Sequence, residues 1–196
     1  VIPFYRACKA GGIKPIIGYD AHLTLGSRFE QSSSLAAGER AYYGLVLLAT
    51  DLEGYQNLAW LASKAFTEGY YHRPRIDMEI LAEKSAGLIA LSGGIDGTVG
   101  HYLNNGDHKR ATEIAGQFSD IFGPERFYLE IQDRGGDMEL NRKIVDLSNE
   151  LSLPIIAIVA VQAFISRANA NWAAPAFVAL TILVCAWALR QQRTRL

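Results

Sequence analysis

The chain has 196 residues, nearly half of them hydrophobic (49%), which is enough for one core-forming domain with an appendage. Its net charge of −1 excludes a protein that coats nucleic acid through a global basic excess. The average hides an asymmetry. Residues 154–196 hold Arg167, Arg190, Arg193 and Arg195 and no acid, so an acidic body precedes an apolar, basic-ended tail. Cys8 and Cys185 lie far apart without CxxC or Cys/His spacing, which indicates neither a disulfide framework nor a structural zinc site. The start, "VIPFYRACKAGG", has no initiating methionine and begins in mid-pattern, as expected of a chain whose true beginning lies upstream.

In chain order, residues 2–10 align Phe4, Ala7 and Cys8 on one helical face, and Gly11-Gly12 ends the helix. "IKPIIGYDAHLTL" predicts a strand and residues 26–40 a Ser/Gly-rich loop. "YYGLVLLAT" predicts a buried strand. "DLEGYQNLAWLASKAFTEGYY" has an Asp cap and aligns Leu58, Leu61, Ala62 and Ala65 on a helix. "PRIDMEILAEKS" reads as a turn and short helix, "GLIALSGG" as a strand, and "DGTVGHYLNNGD" as another short helix. Residues 107–122 align Ala111, Ile114, Ala115, Phe118 and Ile121. "RFYLEIQD" predicts a strand, residues 137–151 a helix through Leu140, Ile144, Leu147 and Leu151, and "LPIIAIV" a last strand. Strands alternating with helices of this length predict an α/β array of parallel βα units, part of a barrel or wound sheet.

The tail breaks the pattern. "WAAPAFVALTILVCAWAL" (172–189) is uncharged, has Trp172 and Trp187 near its ends and is followed by "RQQRTR". That is the length and flanking of a bilayer-spanning helix, which makes the lipid bilayer a partner.

The stretches "FYRACKAGGIKPIIGYDAHL", "LVLLATDLEGYQNLAWLASKAFTEGYYHRPRID", "GLIALSGG", "FYLEIQD" and "ELSLPIIA" run in one order across residues 1–157. In that order they resemble the PHP (polymerase and histidinol phosphatase) domain at the N-terminus of bacterial DNA polymerase III alpha subunits. The resemblance implies a distorted βα barrel, here incomplete, that binds divalent metals (zinc, manganese or magnesium) at the C-terminal ends of its strands. Some members hydrolyse phosphoesters; others serve the polymerase body structurally. It implies a cytoplasmic location, with the polymerase body and replisome subunits as partners and DNA as an indirect one.

Position by position, the family's acidic ligand after "PIIG" falls on Asp20. Its His before "LVLLA" falls on Gly44, its Cys after "ALSG" on Gly94, and the His of its "QDHG" on Arg134. Its closing "TNDVH" becomes "IVAVQ", so that Ala160 and Gln162 stand for Asp and His. Asp20 is thus the residual metal-ligand position, and no metal cofactor and no catalytic residue are expected.

From the residues themselves, Asp20 and His22 share a strand face. His72, Arg73 and Arg75 form a basic turn that is a candidate phosphate or DNA contact. Glu130 and Asp133, three apart on a strand, point to opposite faces. "LSGGIDG" lacks the Lys-Ser/Thr of a P-loop. The segment "VQAFISRANANWAAPAFVALTILVCAWALR" resembles a late part of integral membrane glycosyltransferases that use polyprenyl-phosphate sugars. The expected domains are therefore 1–157 and a membrane-glycosyltransferase-like 158–196. A chimera that joins two unrelated coding segments is the simplest account of the pair.

Overall fold

A computed structural model describes residues 1–31, 39–132 and 138–158. The expected span at 172–189, the glycosyltransferase-like segment, and Asp133, Arg134, Ala160 and Gln162 lie outside the described residues. Among the described residues no helix is long and apolar enough to cross a membrane.

The elements follow the periodicity. Helix α1 (Ile2–Ala10) leads to strand β1 (Gly18–Leu23), then β2 (Tyr43–Ala49) and helix α2 (Leu52–Thr67). A short hairpin β3 (Tyr70–Tyr71) and β4 (Arg73–Ile76) precedes α3 (Met78–Glu83) and β5 (Leu88–Leu91). A 3-10 turn (Gly94–Asp96), α4 (Thr98–Asn104), α5 (His108–Phe122), β6 (Phe127–Gln132), α6 (Met138–Leu151) and β7 (Ile155–Ile158) complete the described chain. Aspartates start three of the helices. The carboxylate of Asp51 accepts from the Gly54 amide (2.8 Å), that of Asp77 from Ile80 (3.2 Å) and that of Asp107 from Arg110 (3.0 Å). The amide bond from Gly54, with a second from the Thr50 hydroxyl, holds the Asp51 carboxyl below its usual range.

The seven strands form one sheet in the order β3-β4-β1-β2-β5-β6-β7. Strands β1, β4, β5, β6 and β7 run parallel in the manner of βα units. The expectation of parallel units needs one correction: β2 is antiparallel to both its neighbours, β1 and β5. The physical reason is the connection. Among the described residues between β1 and β2 there is no crossover helix, and the chain returns beside β1 in the reverse direction. The hairpin β3–β4, whose Tyr70 and Tyr71 fall at the end of the expected helical stretch and whose Pro74–Ile76 fall in the expected turn, adds a further antiparallel pair at the sheet edge.

Alternation divides the sheet into two faces. Ala21 and Leu23, Leu45 and Leu47, Leu88 and Ala90, and Phe127 and Leu129 point to one side, where they are fully enclosed under the helices. There the Phe118 ring of α5 packs on Phe127, with centroids 5.0 Å apart. Helix α1 is the exception. The face it shares among Phe4, Ala7 and Cys8 is as expected, but none of its residues is buried. The residues between the core positions point to the opposite side of the sheet and build the site.

Candidate functional site

On β1 the intervening residues are Asp20 and His22, on β2 Gly44 and Val46, and on β6 Glu130 and Gln132. The β1–β2 register places Asp20 beside Val46 and His22 beside Gly44. With Gly93 and Asp96 after β5, and Arg40, Ala41 and Tyr42 before β2, these residues line a cavity of about 680 Å³. The strand-face prediction for Asp20 and His22 therefore matches their placement in one cavity wall. The His22 ring stands edge-on to Tyr42, with centroids 4.7 Å apart.

Backbone bonds fix the floor. Ser92 Oγ accepts from the Glu130 amide at 2.9 Å, joining the end of β5 to β6. The Asn141 side chain clamps the end of β6 to α6, donating to the Gln132 carbonyl (2.7 Å) and accepting from its amide (3.3 Å). The Gln132 amide nitrogen donates to the Glu130 carboxylate, while Gln132 Oε1 is buried with no hydrogen-bond partner among the described residues. On the core side of β2, the Tyr43 hydroxyl accepts from the Arg40 amide (3.1 Å), and burial pushes its pKa up to about 12.

The glycines decide the chemistry. A Cβ at Gly44 would stand 3.6 Å from the Asp96 carbonyl oxygen, in ordinary contact, and one at Gly94 would point at the Gln132 amide, 2.8 Å away. Gly44 lines the cavity, Gly94 does not, and neither supplies a ligand atom. Asp20, His22, Asp96 and Glu130 share its lining, but among the described residues no three His, Cys, Asp or Glu side chains group closely enough to hold a metal ion.

The basic turn lies elsewhere, and none of its three residues lines the cavity. His72 sits exposed at the apex of the β3–β4 hairpin with φ of 59°, its ring edge-on to Tyr71 at 4.4 Å. Arg73 is exposed beside it. Arg75, grouped with them as a phosphate contact on sequence, is instead only 4% exposed. Its guanidinium donates to the carbonyls of Gly69 (3.2 Å), Arg28 (3.2 Å) and Glu30 (2.8 Å) and lies over the Tyr71 ring. Arg28 in turn pairs with Glu68 (2.9 Å), Asp77 (3.1 Å) and Glu79 (3.0 Å). The two arginines latch the loop after β1 onto β4 and α3.

Sequence reasoning missed Arg40, Tyr42, Asp96 and Gln132 as cavity residues. For Glu130 it tested the partner three residues on, whereas the residue sharing its face is Gln132, two residues on. His101 and His108 lie apart from the cavity: His101 against Tyr43 and Tyr102, His108 on Glu150 at 2.8 Å.

A largely parallel sheet with helices packed on one face and a polar cavity on the other defines the class: a mixed α/β domain consistent with a PHP-type barrel. The sequence model of the PHP domain family matches residues 1–134, and the chain belongs to that family. Similar proteins include the DNA polymerase III subunit alpha of Treponema pallidum (strain Nichols), 37% identical over 155 residues, covering 78% of this chain and 13% of the relative. That of Aquifex aeolicus (strain VF5) is 38% identical over 159 residues (79% and 14%), and that of Thermus aquaticus 38% over 158 residues (80% and 13%). The chain thus matches only about an eighth of the length of these relatives. The glycosyltransferase resemblance of residues 158–196 gains no support from them.

Proposed function

We propose that residues 1–157 are the PHP module of a DNA polymerase III alpha-type subunit acting in DNA replication, with a structural rather than a catalytic role. Its partners are the polymerase body and replisome subunits, its contact with DNA is indirect, and its location is cytoplasmic. The observation that carries this reading is the cavity wall: Gly44, a ligand position that the resemblance implies, lines the cavity without a donor atom, and Gly94, another, lies in the turn after β5 against the Gln132 side chain and supplies none either. Of the ligand positions that the resemblance implies among the described residues, only Asp20 keeps a donor atom, which is short of the three or four ligands a metal site needs. Metal analysis of the purified full chain after incubation with zinc or manganese is the test. The expected content is below about 0.1 equivalent for a site short of ligands. One or more equivalents, lost on Asp20→Ala, would overturn the structural reading.

Residues 172–189 are proposed as a bilayer-spanning segment of a separate 158–196 unit, on their length and lack of charge. The full chain should stay in the membrane pellet through high-salt and alkaline washes and enter solution only with detergent. Release by salt alone would remove the bilayer from the partners.

A further inference from the structure

We infer that residues 24–30 form a strap that two arginines hold shut, that it opens as a unit while the sheet stays folded, and that acid opens it further. The strap leaves β1 at Thr24, whose amide donates to the Ile76 carbonyl at 2.8 Å. That bond extends the short seam between β1 and β4, which pairs only His22 with Arg75 and Leu23 with Ile76. Beyond it the apolar anchorage is slight. Leu25 packs partly on the core, whereas Gly26, Ser27 and Glu30 are exposed and Phe29 is 57% exposed. Polar contacts hold the rest. The Arg28 amide donates to the Asp77 carboxylate at 2.9 Å, and its guanidinium reaches Glu68, Asp77 and Glu79. From beneath, the Arg75 guanidinium donates to the carbonyls of Arg28 and Glu30.

These partners lie on three separate elements. Glu68 closes the end of α2, Arg75 belongs to β4, and Asp77 and Glu79 start α3. Opening the strap breaks bonds whose groups water can serve in their place, and the enclosed Leu23 and Ile76 stay where they are. It therefore costs far less than unfolding the domain. Acid acts through Glu68. The charged groups in contact with Arg28 are Glu68 from α2, Asp77 and Glu79 from α3, and Arg75 from β4, while Lys64 pairs with Glu68 from within α2. Hydrogen bonds from Lys64 and from Arg28 hold the Glu68 carboxyl below its usual range. The Arg28 share of that lowering exists only while the strap is shut. The shut state is therefore favoured in full above the ordinary carboxylate range, and that preference is lost as pH falls through the lowered one. Because the strap follows directly on Leu23, its opening loosens first the cavity wall that carries Asp20 and His22.

Hydrogen–deuterium exchange of the full chain in detergent, read by mass spectrometry, tests this by comparing residues 24–30 with β6. At neutral pH the strap amides should exchange at least about a hundred-fold faster than those of β6, as a local opening does beside a core strand. Glu68→Gln should speed the strap about ten-fold and leave β6 unchanged, the effect of losing one charge-assisted bond. Phe29→Ala removes the ring beside the Arg28 guanidinium and should change the strap by less than about three-fold, as an exposed cation–π contact does. Corrected for the intrinsic chemical rate, the ratio of strap to β6 exchange should rise as pH is lowered, down to the point where β6 itself loses protection. The rise should be smaller in Glu68→Gln. Equal corrected rates for strap and β6 at neutral pH would overturn the proposal, because the strap would then open only with the whole domain. A ratio that stays constant with pH would overturn it too, as would a Glu68→Gln chain whose strap exchanges like the parent's.

Discussion

Gly97→Ala should destabilise the protein by about 3 kcal/mol or more, one of the largest effects of any single methyl group in the described chain. Gly97 closes the 3-10 turn and opens α4 with ordinary extended dihedrals, so backbone freedom is not the issue. Space is. A Cβ there would lie 1.7 Å from the Ser92 carbonyl oxygen and 3.2 Å from that of Gly44. Both are backbone atoms and cannot rotate away, so β5 and β2 must move apart. Gly116→Ala is the matched control. It sits inside α5 with nothing within 4 Å of the added methyl, and removing a mid-helix glycine should stabilise by about 0.5–1 kcal/mol. Urea unfolding of both variants reads the two signs. Gly97→Ala within 1 kcal/mol of the parent would show that the close approach of the β5 turn to β2 is absent in solution.

Arg75→Met should cost about 3 kcal/mol, and Arg75→Lys should recover less than half of it. The side chain is buried, and three carbonyls depend on its guanidinium. Methionine fills the volume and lies on Tyr71 and keeps the backbone amide bond to Gly69, but removes the guanidinium donors from the Arg28 and Glu30 carbonyls. Lysine keeps the charge, yet an ammonium cannot reproduce the planar fork that reaches Gly69 on one side and Arg28 and Glu30 on the other. The neighbouring Arg28, with Glu68, Asp77 and Glu79, would lose its backbone anchor at the same time. Denaturant midpoints check the effect. A variant as stable as the parent would return Arg75 to the role of a dispensable surface cation.

Much of this architecture was legible in residue order because period and polarity agree. In α5 the row Ala111, Ile114, Ala115 and Phe118 is both the pattern and the buried face. In β6 the alternation of "FYLEIQ" separates Phe127 and Leu129 from Glu130 and Gln132 on either side of a local turn of pattern. Strand direction was not legible. "YGLVLLA" is a hydrophobic run that reads the same whether its neighbours are parallel or antiparallel, and only the connection and the partners decide. Nor was the burial of Arg75, since a cation between proline and Asp77 looks like a solvated turn until the loop after β1 folds over it. The exposure of α1 ran the other way: its apolar face was visible, but nothing within α1 says whether another element covers it. Gly44 and Gly94 stood out only against the family pattern, since a glycine in a strand or turn usually reports backbone needs rather than a lost side chain.

The reversed strand β2 has a consequence for how the cavity holds together. It lies between β1, which ends twenty residues before it begins, and β5, which follows only after α2, the hairpin and α3. The walls drawn from β1, β2, the turn after β5, and β6 span residues 20 to 132, and no shorter contiguous stretch encloses the space. Loosening either end of that span opens the cavity as a whole, because each wall is hydrogen-bonded to one that is remote in the chain. The cavity is therefore a cooperative property of the folded domain, present all at once or not at all, and its integrity reports the folding of nearly everything described.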